Sequence, residues 1–319
     1  MGFKMDSSFV FFTKNGHLGI ARKAAGRIVV YLNQELISES FQIEYNPEFN
    51  KLFDDQEEEL TVGSLNIYLR EQEIFEEVVA THELKSPGAY YPRIARENIN
   101  FDYVTKEFIQ DIRAYKNIQE SLDSLFNYIE PEQINLKTYS HKIRELLILS
   151  CTEVEYLMKK MLLDNGYVRT RGYLNTVDYF KCKDILKLGE YEVVLKQYSD
   201  LKKFNPFKEW TDFNNQTTSS IPWYQAYNFV KHDRGGNIAE ANLENLLDSV
   251  AAIHILLESQ YGKNIFNNWK RLTDDQSMFN TLKYPEWALS EITAPILKIP
   301  SYDVKLEWIE SKQYFSNMV

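Results

Sequence analysis

Cysteine is nearly missing from this chain: 319 residues hold two, Cys151 and Cys182. Two cysteines without motif spacing make neither a zinc site nor a disulfide framework. Long apolar runs are also missing, and nothing approaches the roughly 20 residues of a membrane span. The opening MGFKMDSSFVFFTKNG has no sustained apolar core followed by a small-residue cleavage site. Its sixth residue is Asp6 rather than Ser or Thr, which argues against myristoylation. Positive charge is in deficit, with 36 Lys and Arg against 46 Asp and Glu and a net charge of -10. Such a chain is not a general polyanion binder. No phosphate-binding loop, dinucleotide fingerprint, H-E-x-x-H zinc motif or G-x-S-x-G nucleophile elbow occurs, and neither do internal repeats or low-complexity tracts. These absences point to a cytoplasmic protein with no membrane, metal or cofactor.

Aromatics are plentiful, with 21 Tyr and 19 Phe, and 44% of the residues are hydrophobic. That supplies a real core and excludes global disorder. The charge is uneven. Acid concentrates in DDQEEE (Asp54 to Glu59), whereas Lys137, Lys142, Arg144, Lys159, Lys160 and Arg169 make the middle basic. A locally positive surface is expected there.

The pattern changes along the chain. Up to Leu84 it is short and mostly of period two: SFVFF, RIVVYL, FQIEY and SLNIYL read as strands, and NGHLG as a turn. REQEIFEEVVATHEL fits helix or strand. KSPGAYYP breaks regular structure, which places a boundary there. From Tyr103 the period is helical. Phe108, Ile112, Tyr115, Ile118, Leu122 and Leu125 mark one helix. Ile143, Leu146, Leu147, Val154, Leu157, Met158 and Met161 mark a second, from His141 to Leu163, closed by Asn165-Gly166. VDYFKCKDILKL and YEVVLKQYSDL read as weaker helices. A long helix starts at Asn237 or the glycines before it and runs through Leu243, Leu246, Val250, Ile253 and Leu257 to Gly262. YDVKLEWI alternates and reads as a strand returning to the N-terminal sheet. The expected fold is α+β: a β-rich domain over 1–92, serving as sensor or docking module, a helical domain over 101–262, and an extension over 263–319 that packs on the first.

One stretch concentrates chemistry: WYQAYNFVKHDRGG, from Trp223. On a helix, Tyr227 and Lys231 share a face, and Asn228 and His232 share the next. Imidazole has an unperturbed pKa of about 6.5 and can act as acid or base. Arg234 follows, able to clamp a phosphate. Glu153 and Glu155 lie at the edges of the apolar stripe of the second helix, where a carboxylate needs a cation or donor. Two readings stand. In one, His232, Asn228, Arg234, Glu153 and Glu155 form a polar catalytic pocket. In the other, His232 is a C-terminal helix cap, Asn228 bonds backbone, and the glutamates are edge residues that reach water. His254 reads as a half-buried packing residue and His17 as a solvated turn residue.

RELLILSCTEVEYLMKKML, NPFKEW and WYQAYNFVKHDRGGNIAEANLENLLDSVAAIHIL together resemble the HEPN-like helical proteins of bacterial toxin–antitoxin and anti-phage systems. The most specific piece is YNFVKHDR. The resemblance covers about Phe101 to Gly262. It implies an up-and-down helical bundle, paired as a homodimer through the helical domain, in a family where many members are metal-independent RNases. Their signature is Arg, a polar residue, three to five residues, then His. Asn228 and His232 match it, whereas Tyr227 stands at the Arg position. If the chain cleaves RNA, the resemblance implies that His232 moves a proton at the ribose 2'-oxygen or leaving oxygen. Arg234 would neutralise phosphoryl charge, leaving a 2',3'-cyclic phosphate and a 5'-hydroxyl. The alternative it implies is a non-cleaving relative that binds RNA, a nucleotide or a regulatory protein.

Overall fold

The structure, a computed structural model, describes residues 7–24, 27–33, 40–43, 61–71, 73–97, 106–169, 172–211, 219–263, 265–266, 276–298 and 305–316. The acidic run Asp54 to Glu59 and Tyr45 of FQIEY lie outside these residues. The fold is mixed α+β, in two compact units. One comprises Met1–Tyr90, Arg96–Asp102 and Trp287–Ser311; the other comprises Tyr91–Ala95, Tyr103–Glu286 and Lys312–Val319. Of residues 263–319, 287–311 fall in the first unit and those up to 286 and from 312 in the second.

The first unit is built on strands β1 (Ser7–Thr13), β2 (Leu18–Ala24), β3 (Arg27–Asn33), β4 (Ser40–Ile43) and β5 (Val78–Glu83). They form an antiparallel sheet in the order β4-β3-β2-β1-β5. The β1–β2 turn passes through Gly16, whose φ of 83° suits glycine. Opposite Phe11 stands Gly19, and a Cβ there would lie 2.1 Å from the Phe11 ring. Period-two alternation sends Phe9, Phe11, Val30 and Leu32 to one face and Val10, Ile20 and Tyr31 to the other. The first face packs on helix α1 (Val62–Glu71).

That helix corrects the expectation of a strand at SLNIYL. Leu65, Tyr68 and Leu69 are fully buried, whereas Ile67 is 54% exposed. The buried spacing is three and four, which a strand cannot give. Trp287, Ile292, Ala294 and Leu297 cover the second sheet face. Strands β10 (Ile296–Lys298) and β11 (Lys305–Glu307) pair with each other, and β12 (Ile309–Glu310) runs parallel to β6 (Ala89–Tyr90). Of YDVKLEWI, residues 302–304 lie outside the described residues, and the rest forms β11 and the start of β12, which pair with β10 and β6.

The second unit holds helices α2 (Lys106–Phe126), α3 (His141–Asp164), α4 (Thr176–Ile185), α5 (Pro222–His232), α6 (Arg234–Asn237) and α7 (Leu243–Tyr261). Ser140 caps α3 by accepting from the Ile143 amide, and Asn242 caps α7 by accepting from Asn245. The last of the long helices therefore starts at Leu243, six or more residues later than its periodicity suggests. Residues 250–257 of α7 are buried all round, as befits a central helix. YEVVLKQYSDL is not a helix. Its first half is strand β7 (Glu192–Leu195), between β8 (Lys203–Phe204) and β9 (Phe279–Lys283). The β-branched Val193-Val194 pair favours strand, and long-range pairing with β9 settles it.

Candidate functional site

Helix α5 carries the motif. Pro222 opens it at the first turn, where a missing amide costs nothing. Trp223, Tyr224, Ala226, Tyr227 and Val230 form its buried face, while Asn228 is half-buried and Lys231 and His232 are exposed. Trp223 donates its indole N–H to the Pro206 carbonyl at 2.9 Å. Tyr224 donates its hydroxyl to Glu155 of α3 at 2.5 Å. Burial, then the Glu155 carboxylate, pushes the Tyr224 phenol far up, so it stays a donor. Lys231 donates to the Tyr227 hydroxyl at 2.7 Å and lies 4.7 Å from the centre of its ring. That bond raises the Lys231 pKa against the pull of partial burial.

The end of α5 is held from outside. Arg144 of α3 donates two hydrogen bonds, at 3.0 and 2.9 Å, to the carbonyl of Val230. A last-turn carbonyl has no intrahelical partner, so a guanidinium there is favourable twice over, as donor and as charge against the dipole. Asp233 then caps the four-residue α6 by accepting from the Gly236 amide at 3.2 Å. DRGG is thus an ordered helical turn. The side chain of Arg234 lies outside the described atoms.

Of the residues proposed from the sequence, Glu155 and Glu153 have different surroundings. Glu155 is engaged by Tyr224, with Lys231 and Cys151 near enough to feel charge on it. The side chain of His232, exposed on α5, makes no hydrogen bond among the described residues, and that of Asn228 makes none either.

Glu153 belongs to a different cluster, which the sequence does not announce. Arg93, with its side chain 2% exposed, pairs with Asp111 of α2 at 2.6 Å and with Asp164 at 3.2 Å, and donates to Gln260 at 2.9 Å. Tyr261 donates to Asp111 at 2.6 Å, and Lys160 reaches Asp164 at 2.9 Å. One Arg93 nitrogen, Nη2, and one Glu153 oxygen, Oε1, are buried without a partner. Burial, then the like charge of Asp111, pushes the Glu153 carboxyl up to about 7, against the pull of Arg93. Arg93 also has a left-handed φ of 61°, strained for a side-chain-bearing residue. Its neighbours fix that turn: Asn165 donates to the Pro92 carbonyl and the Ala95 amide to Ser259.

His254 is fully buried rather than half-buried. Its Nδ1 meets Ser277 Oγ at 2.8 Å, and its Nε2 meets Thr281 Oγ1 at 2.9 Å and Glu258 at 3.4 Å. Serine, histidine and glutamate line up as in a hydrolase, but all three are under 5% exposed and Ser277 also bonds Tyr115 and the Phe279 amide. With no access for a substrate, this is a core network that ties β9 to α7. His17 is likewise not simply solvated, because its Nδ1 lies 2.9 Å from Glu76.

Among the described residues no group of three or more His, Cys, Asp or Glu could hold a metal ion. Among them, too, no helix is long and apolar enough to cross a membrane. Comparisons with protein families, with curated proteins and with solved structures find no match to this chain.

Proposed function

We propose that this protein is a HEPN-like binding protein of the bacterial cytoplasm that takes RNA without cleaving it. The observation that carries this reading is Tyr227. It stands where a cleaving relative has arginine, is 1% exposed, and has its hydroxyl tied to Lys231. The position is part of the core, and no cation there can face a phosphate. Of the two glutamates, Glu155 is engaged by Tyr224, and Glu153 feels the charges of Asp111 and Arg93 without a bond to either. What remains at the end of α5 suits an anion. Arg144 has no carboxylate partner among the described residues, and the exposed Lys231 and His232 stand beside Val230, the residue it holds. With the family likeness come a homodimer through the helical unit and a regulatory protein partner.

The cleaving reading keeps one observation in its favour. Arg144 of α3 brings a second guanidinium, besides Arg234, to the His232 end of α5. Expression of wild type and His232→Ala, followed by comparison of total RNA, decides between the two. Equal profiles are expected. Cleavage by wild type that disappears in His232→Ala overturns the binding reading in favour of the nuclease. Binding itself is read by fluorescence anisotropy of a labelled single-stranded RNA, and no salt-sensitive binding removes RNA as the ligand.

A further inference from the structure

The outer side of α5 carries side chains that the fold leaves unused. Helical spacing gathers Gln225, Asn228, Phe229 and His232 on one arc of about 100°. That arc lies opposite the buried Trp223, Tyr227 and Val230. Phe229 is 43% exposed and His232 is exposed, while Gln225 and Asn228 are half-buried. None of the four side chains makes a hydrogen bond, an ion pair or a ring contact among the described residues. A lone exposed phenylalanine needs no explanation. Here the ring stands among two amides and an imidazole that also lack partners. A half-buried amide gives up part of its water, and these two gain no bond in exchange.

The charge beside this arc selects the occupant. Lys231 flanks Asn228, and its single bond to Tyr227 leaves it donors to spare. Arg144 spends Nε and Nη2 on the Val230 carbonyl, and its Nη1 has no partner among the described residues. Both cations meet α5 within one turn of Phe229, about 5 Å along the axis. The neighbouring acids are engaged. Asp233 accepts from the Gly236 amide and from Asn237, and Glu145 pairs with Lys142. Glu155 acts on Lys231 through space and is held by Tyr224. The face thus offers an aromatic ring, two amides and cationic donors together.

An unpaired nucleotide uses all of these at once. Its base has a π face for Phe229 and edges for the Gln225 and Asn228 amides, and its phosphate suits Lys231 and Arg144. A duplex hides its base faces in the stack, so only an unpaired base reaches the ring. An apolar peptide would use the ring and leave the amides and cations idle. We infer that Phe229 is the base-stacking residue of the RNA site at the end of α5, and that this site takes single-stranded rather than double-stranded RNA. The inference rests on the RNA reading above, and adds to it the strandedness of the ligand and the residue that senses it.

Fluorescence anisotropy of the full chain with a labelled oligoadenylate, a labelled oligouridylate and the duplex of the two tests it. Both single strands should bind more tightly than the duplex, although the duplex has the denser charge. Phe229→Leu should weaken single-strand binding about five- to 100-fold, the range for losing one base-stacking ring. Phe229→Trp keeps a ring and should hold affinity near wild type. The slope of affinity against salt should not change in Phe229→Leu. In Lys231→Ala it should fall by about 0.7, the share of one phosphate contact on a single strand. Thermal unfolding should show Phe229→Leu folded, because the side chain points outward. Equal affinity of Phe229→Leu and wild type overturns the inference alone. So does equal loss in Phe229→Leu and Phe229→Trp, or a duplex bound as tightly as either strand. A wild type that binds none of the three overturns the RNA reading and this inference together.

Discussion

Lys231 reaches back one turn of α5 to donate to the hydroxyl of Tyr227, so the most distinctive residue of the motif is tied into the packing of its own helix. Removing the hydroxyl leaves the ammonium to water. Tyr227→Phe should cost about 0.5–1.5 kcal/mol in urea unfolding. Tyr227→Arg introduces the arginine of the HEPN-like signature proposed above but buries a guanidinium beside Tyr224 in the core. It should cost several kcal/mol and confer no RNA cleavage. A stable, RNA-cleaving Tyr227→Arg protein would show that the position is not core.

Arg144→Ala removes both donors from the Val230 carbonyl. The end of α5 should fray, with a loss of about 1–3 kcal/mol in urea unfolding. RNA affinity by anisotropy should fall with it. Arg144→Lys keeps the charge without the forked geometry and should recover binding more fully than stability. Equal recovery of both would mean that Arg144 acts on RNA only by holding the helix.

Glu153 makes stability depend on pH. Burial, then the charge of Asp111, pushes its carboxyl up to about 7 from 4.5. Between these values the folded state binds more protons than the unfolded state, so this group's contribution falls as pH rises and is smallest above 7. The full shift corresponds to about 3 kcal/mol, and partial exposure of the group makes that an upper bound. Glu153→Gln should therefore flatten the stability profile between pH 4.5 and 7 relative to wild type. It should also stabilise the protomer at pH 8. Parallel wild-type and variant profiles across that range would remove Glu153 as the source.

Arg93 offers a contrast between breaking and replacing a buried pair. Arg93→Met strands Asp111 in a buried site and should cost about 3–5 kcal/mol in denaturant unfolding. Adding Asp111→Leu removes the orphaned charge and should return much of that loss. A double variant no more stable than the single would mean that the network matters for packing rather than charge.

Much of the helical unit was legible from periodicity, because an apolar stripe at steps of three and four has few other uses. Helices α2 and α3 start and stop close to where their stripes and caps indicate. SLNIYL misled because Leu65, Ile67 and Leu69 alternate. Tyr68 was the deciding residue, and only its burial beside Leu65 and Leu69 reveals the helix. YEVVLKQYSDL misled for the opposite reason: its β-branched pair outweighed its charges once β9 was there to pair with. Of the site, the buried face of α5 and the contact of Tyr227 with Lys231 followed from helical spacing. Arg144 and Arg93 did not, since nothing in their local sequence distinguishes them from arginines that stay at the surface.

By itself the sequence determined composition class, the α+β character, the absence of common catalytic motifs, and a motif-bearing helix with Tyr227 where arginine was expected. Those properties depend on residue identity and short-range spacing, which a linear chain displays. Tertiary structure alone decided which polar groups meet. It brought Arg144 to the end of α5, gave Glu155 to Tyr224, left Glu153 beside Asp111 without a partner, and turned Phe229 outward with His232. Those outcomes depend on contacts between residues far apart in sequence, and burial then sets the cost of every charge left unpaired.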